Sequence, residues 1–229
     1  MAPPPAPGGA PVPWEDRARL GFLTALVETV RLFVTAPGEG YERARRRGDL
    51  VSPIAFAVLI SWVGAIIQSV WQFAFGWTFL PFLPSGMEGG GALHFAGSTF
   101  GLVVQMIVAP IFVLIGLFLV GGVVHLALML FGGTRESTTG FEGTIRALSY
   151  GSVAQLASLV PFAGGLISIV WSIVLYTLGL AAMHRTSQGK ALAAVLVPFA
   201  ICCACVALAV VLVFGSIAAL VAGAAAGAD

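Results

Sequence analysis

Charge is what this sequence has least of. Only 9% of its 229 residues are Asp, Glu, Lys or Arg, against about a quarter in an ordinary soluble domain. With 59% hydrophobic residues and a mean hydropathy of +1.00, that scarcity excludes a soluble globular fold. Lysine is nearly missing: Lys190 is the one exception to a basic set that is otherwise arginine, the usage of a GC-rich bacterial genome. No basic patch interleaved with aromatics is present, so nucleic acid is not an expected partner. Cysteine is confined to Cys202, Cys203 and Cys205, deep in one apolar run. Neighbours on one helix have poor disulfide geometry, and a zinc site needs four ligands in paired spacings. Palmitoylation favours cysteines beside the membrane, not at that depth, so these three read as small packing residues. An H-E-x-x-H zinc motif and a nucleotide-binding glycine loop are also lacking, and no serine–histidine pair lies at mid-depth for an intramembrane protease. The sequence reads as non-enzymatic, with no cofactor and no metal.

What is present is a series of uncharged runs, several exceeding the roughly 18 residues that cross a bilayer. The expected class is all-α: a polytopic integral membrane protein with five transmembrane helices. Residues 1–13 hold six prolines and read as a disordered, polyproline-like tail. Trp14 to Thr35 reads as an amphipathic helix, with Leu20, Leu23, Val27, Val30 and Val34 on one face and Thr24, Glu28, Arg31 and Thr35 on the other. It suits a membrane interface or the cytoplasmic ends of other helices equally. Arg43, Arg45, Arg46 and Arg47 follow, a basic cluster fit to contact anionic headgroups. The membrane domain is expected over 49–222, and 223–229 as a small-residue tail.

Within that domain the first crossing covers about Leu50–Phe75 and runs into an aromatic belt (Trp71, Phe73, Phe75, Trp77, Phe79, Phe82). Ser98 to Phe131 is uncharged for 34 residues, about 51 Å as a single helix and too long for one crossing. Pro110 divides it into a leading segment, 98–108, and a second crossing, 109–131. The third and fourth crossings form a hairpin. Thr139 and Glu142 suggest a capping box at its start, Pro161 to Gly165 its turn, and His184 and Arg185 its end. A fifth crossing runs from Ala191 to about Val221. With five crossings, all eleven basic residues fall on one side, which places the N-terminus in the cytoplasm and the C-terminus outside.

Charge is confined to loops and helix ends, so the polar content of the spans is Gln68, Gln72, Gln105, Ser149, Ser152, Gln155, Ser158, Ser168, Ser172 and His125. These read first as hydrogen-bonding groups between helices; a path for a polar solute is the alternative. Ala147 and Gly151, and then Gly164, Ser168 and Ser172, recur every fourth residue, a spacing that lets helices approach closely. The expected role is to cement the hairpin, with a dimer interface as the alternative.

The order of these signals resembles the Yip family of five-span membrane proteins, bacterial branch, over about residues 35–222. The residues that carry the likeness are Asp49, Leu50 and Pro53 at the first span and Tyr150-Gly151 in the third. Pro161 with Gly164-Gly165 at the turn, Trp171 and Gly179 in the fourth span, and His184 before the polar loop complete it. The resemblance implies a non-enzymatic membrane scaffold that interacts with itself or another membrane protein, here in a bacterial cytoplasmic membrane. A small-solute transporter or permease component is the alternative. Eukaryotic members act in vesicle traffic and associate with Rab-type small GTPases. This chain has a much shorter N-terminal region and Ser52 where they usually have glycine, which argues against carrying GTPase binding over.

Overall fold

The computed structural model describes residues 10–79 and 91–226, and among them every regular element is helical. A 3-10 turn at Pro13–Asp16 leads into α1 (Arg17–Leu20), α2 (Phe22–Thr35) and α3 (Pro37–Arg43). Then come α4 (Val51–Phe79), α5 (Gly91–Leu130), α6 (Gly140–Gly151), a 3-10 segment (Ser152–Leu159), α7 (Gly164–His184) and α8 (Gln188–Ala226).

Among the described residues, four helices are long and apolar enough to cross a membrane, over Val51–Trp71, Met106–Leu130, Gly164–His184 and Gln188–Ser216. The expected third crossing is not among them. Its α-helix lasts 12 residues and carries Glu142 and Arg146, and at Ser152 the coil tightens to 3-10 for eight more. At about 1.5 and 2.0 Å per residue, the two pieces rise roughly 34 Å together. Nearly all of α6 is buried in protein, so its polar groups are shielded from lipid by the other helices.

Several boundaries differ from expectation. Residues 98–108, which the sequence leaves as interfacial or part of one long tilted helix, belong to the long helix: α5 is continuous for 40 residues through Pro110. Likewise α8 continues past Val221 to Ala226, where a tail was expected. In the hairpin turn, Gly164-Gly165 already belong to α7, and the left-handed residue is Phe162 (φ 62°). Its ring packs 4.8 Å from Phe75, a contact that holds the turn against the end of α4. Thr139 makes no side-chain cap; its hydroxyl donates to the Met183 carbonyl (3.1 Å) and Glu142 pairs instead with Arg146. Of the aromatic belt, Phe82 lies outside the described residues.

The N-terminal region is also rearranged. Most of the proline-rich tail, residues 1–9, lies outside the described residues, but Val12 is fully buried. The single helix expected over Trp14–Thr35 is broken at Gly21, whose φ of 82° only glycine adopts freely. On α2 the core face is Ala25, Thr29 and Phe33, with Leu26 and Val30 at its margin. Leu23 and Val27 are 72% and 61% exposed. The helix therefore has a packed face, a polar face and an outward apolar strip between them.

The long helices form a ring in which α4 packs on α5, α5 on α8, and α8 on α7. The α6 and 3-10 strand of chain fits between α7 and α4 and closes the ring. Here α6 also reaches α5, whereas the 3-10 segment packs chiefly on α4 and α7, with a smaller contact to α2. Three basic segments meet at one end. Arg47 donates to the Thr138 carbonyl (2.7 Å from Nε), and Lys190 Nζ lies 3.4 Å from the Gly132 carbonyl.

Candidate functional site

At that basic end the N-terminal region is locked into the bundle around Tyr150. Phe33 of α2 stacks on the Tyr150 ring, with centroids 4.9 Å apart and planes within 6°. Tyr41 of α3 sits edge-on to Phe33 and donates its hydroxyl to the Ala147 carbonyl (3.0 Å). Trp14 donates from Nε1 to the Ser52 carbonyl (2.7 Å), and Arg17 bonds the Ser52 hydroxyl (2.6 Å). Ser52, which stands where glycine was noted in the resemblance, is thus an anchor for the N-terminal turn.

The Tyr150 hydroxyl donates to Glu15 Oε1 (2.8 Å), and the Arg45 guanidinium lies 3.3 Å from Oε2. Burial pushes the Glu15 carboxyl above the ordinary carboxylate range, outweighing Tyr150 and Arg45, which pull the other way. A folded-state pKa above the unfolded value of about 4.3 has a definite sign. Stability tied to the protonated form is present in full below that value and is lost as pH rises through the folded pKa. The thermal stability of the wild type should therefore fall relative to that of Glu15→Gln as pH is raised from about 4 toward neutrality. Melting the two side by side across that range checks it; a constant offset rejects it.

Arg146 is fully buried. It bonds Glu142 Oε1 (2.6 Å) and the Gly48 carbonyl (2.7 Å), while its Nε and Nη1 have no partner. The other arginines are partly engaged with protein. Arg43 pairs with Glu39, Arg45 with Glu15, and Arg47 with the Thr138 carbonyl. Arg45 and Arg47 remain exposed beyond those contacts, and Arg46 is half-buried.

A second polar cluster joins α5, α6 and α7, and sequence reasoning missed it. The His125 Nδ1 atom lies 2.8 Å from the Thr144 hydroxyl, which lies 2.9 Å from His184 Nε2; His184 Nδ1 lies 2.8 Å from the Ser137 hydroxyl. Thr139 spends its proton on the Met183 carbonyl, so the Ser137 hydroxyl donates to Thr139 Oγ1 (3.2 Å). With both imidazoles neutral, His184 Nδ1–H donates to Ser137, its Nε2 accepts from Thr144, and His125 Nδ1–H donates to Thr144. The missing signal was spacing: two histidines 59 positions apart in sequence meet only because α5 and α7 both pack on α6. No carboxylate or thiol joins them, and among the described residues no group of three His, Cys, Asp or Glu is placed to hold a metal.

The small residues of the hairpin have unequal room. Ala147 and Gly151 are buried on α6. A Cβ on Gly151 would fall 2.5 Å from the Tyr176 ring, and one on Gly179 2.7 Å from the Tyr41 ring. A Cβ on Gly164 would meet the Ala157 carbonyl oxygen and come within 2.9 Å of Ser158 Cα. Gly165 has nothing within 4 Å. Ser168 is 8% exposed and Ser172 half-buried. Cys203 and Cys205 are exposed on α8. Trp171 packs at the edge of the core, and Pro53 is buried in the first turn of α4. Asp49 accepts the Val51 N–H (2.9 Å) to start that helix, and the Leu50 carbonyl accepts from Ile54 (3.1 Å).

No curated relative and no solved structure matches the chain. The family model described as the Yip1 domain matches residues 30–210, which include Phe33, Tyr41 and Tyr150 of the clamp, the histidine chain and all four long helices through most of their length. With most of its sequence inside that match, this chain is a membrane protein of the Yip1-domain family.

Proposed function

We propose that the chain is a non-enzymatic scaffold of the membrane, a Yip-type platform whose partners meet it at the basic end. The observation that carries this reading is the docking of the N-terminal region onto Tyr150 by Trp14, Phe33 and Tyr41. Such docking gives a rigid surface, and the outward Leu23 and Val27 strip lies on it. An apolar strip beside arginines suits an anionic leaflet, where each cation adds about 1 kcal/mol; Arg43, Arg45, Arg46 and Arg47 would contact its headgroups. A second copy of the chain or another membrane protein would pack against the bundle.

The reading includes five crossings, with the α6 and 3-10 stretch as the shielded third, an N-terminus in the cytoplasm and a C-terminus outside. The convergence of the segments holding Arg47, Lys190 and Thr138 at one end supports it, and a bacterial cytoplasmic membrane is the expected location. A periplasm-active reporter fused after Asp229 should be active, and one fused after Arg185 silent; activity after Arg185 rejects the topology. Affinity purification from native membranes in mild detergent tests the scaffold. A co-purifying membrane protein at fixed stoichiometry is expected, whereas solute flux by the purified protein in vesicles would overturn the reading in favour of a transporter.

A further inference from the structure

Because the 3-10 segment leaves α5 uncovered, the ring of helices encloses a cavity of about 900 Å³. It runs along the bundle from Ala57 and Val124, near the basic end, to Gly165 at the opposite end. Its two sides differ in chemistry. On the side of α4, the 3-10 segment and α7 stand Ser61, Gln68, Ser152, Gln155, Ser168 and Ser172. The facing wall, from α5 and α8, is hydrocarbon: Val113, Leu117, Val195 and Phe199. Among the described residues no charged side chain lines it. The Ser152 hydroxyl, on a residue only 5% exposed, has no hydrogen-bonding partner, and an unpaired buried hydroxyl is costly unless something fills its need.

The mouth is as informative as the walls. Val120, Ile169 and Phe199 line the cavity and are also among the exposed residues of α5, α7 and α8. All three lie inside apolar spans, so this side of the opening faces acyl chains, while Gln68, Gln155 and Gly165, also exposed, open the far end. A space with hydroxyls and amides on one side, hydrocarbon on the other and a door in the membrane fits one kind of molecule. We propose that it binds the uncharged, hydroxyl-bearing headgroup of a membrane lipid, of which a diacylglycerol is the simplest. A phosphate headgroup would bring an ion into a low-dielectric space with no countercharge. A polyol can exchange hydrogen bonds with Ser152, Gln68 and Gln155 while its chains leave past Val120 and Phe199.

The test uses the full chain in phosphatidylcholine nanodiscs and a diazirine-bearing diacylglycerol as photoprobe, read as labelled protein by mass spectrometry. Gly116 lines the cavity and has nothing within 4 Å of an added Cβ, so Gly116→Leu sends its side chain into open space. Labelling should fall about tenfold or more while the thermal aggregation temperature is kept or raised. Gly122→Leu, at an equally open position of α5 outside the cavity, should label as the wild type does. Ser152→Ala should lower labelling by about three- to tenfold, the loss of one buried hydrogen bond. A phosphatidic acid with the same diazirine chain should label at least tenfold less, and free glycerol in large excess should not compete. Undiminished labelling of Gly116→Leu would overturn the site. Equal labelling by phosphatidic acid would overturn the requirement for an uncharged headgroup. Full competition by glycerol would make it a site for a free polyol and overturn the lipid.

Discussion

Gly164→Ala will lower the thermal aggregation temperature of the detergent-solubilised protein, whereas Gly165→Ala, one residue along the same helix, will leave it unchanged or raise it. The two glycines open α7 and differ in what stands opposite them. A methyl at 164 points at the Ala157 carbonyl and the Ser158 Cα, both backbone atoms of the 3-10 segment, so no side chain can swing aside. Relief requires the 3-10 segment to move off α7, an overpacking cost of about 1–3 kcal/mol. A methyl at 165 meets nothing within 4 Å, and there alanine gains about 1 kcal/mol of helix propensity over glycine. Equal behaviour of the two variants would mean that the hairpin is not closed at this point.

Phe33→Ala should release the N-terminal region from the bundle. Phe33 is fully buried, and it touches both rings that hold this region, Tyr150 by stacking and Tyr41 edge-on. Truncating such a residue costs about 3–5 kcal/mol. That is enough to free the N-terminal helices locally even where the long helices stay packed. Trypsin cleavage at Arg17, Arg19 and Arg31 should then accelerate many-fold in mild detergent. Val27→Ala, on the outward strip of the same helix, should cut at the wild-type rate. If Phe33→Ala resists trypsin as the wild type does, the clamp is not what fixes α2.

The membrane class was legible in the sequence because it depends on a local quantity, the length of each uncharged run against the thickness of a bilayer. The same holds for Asp49 before the first span and for the hairpin, whose two arms had to be neighbours with so short a turn. The Yip-type order of turns and helix ends is likewise a one-dimensional pattern, and the family match covers the same stretch. Spacing also marked Gly151 and Gly164 as points of close approach. It could not say that Gly151 faces Tyr176 and Tyr41, because Tyr41 is 110 positions away.

Other features depended on which faces met. The stripe on α2 was read from hydrophobicity, yet the face that packs is Ala25, Thr29 and Phe33, since small residues let the helix settle close and one ring then fills the gap. Thr139 and Glu142 had the spacing of a capping box, but Glu142 pairs with Arg146 one turn along its own helix, and the Thr139 hydroxyl goes to the Met183 carbonyl, a partner that only the packed bundle supplies. The change from α to 3-10 at Ser152, the hydrogen-bonded chain from His125 through Thr144 to His184, and the cavity beside Gly116 have no sequence signature at all. The sequence by itself determined that these helices lie in a membrane, because transfer from water to hydrocarbon is summed residue by residue along each run. The tertiary structure alone decided which polar groups are paired and which face an open space, because hydrogen bonds and contacts are made between residues far apart in the chain.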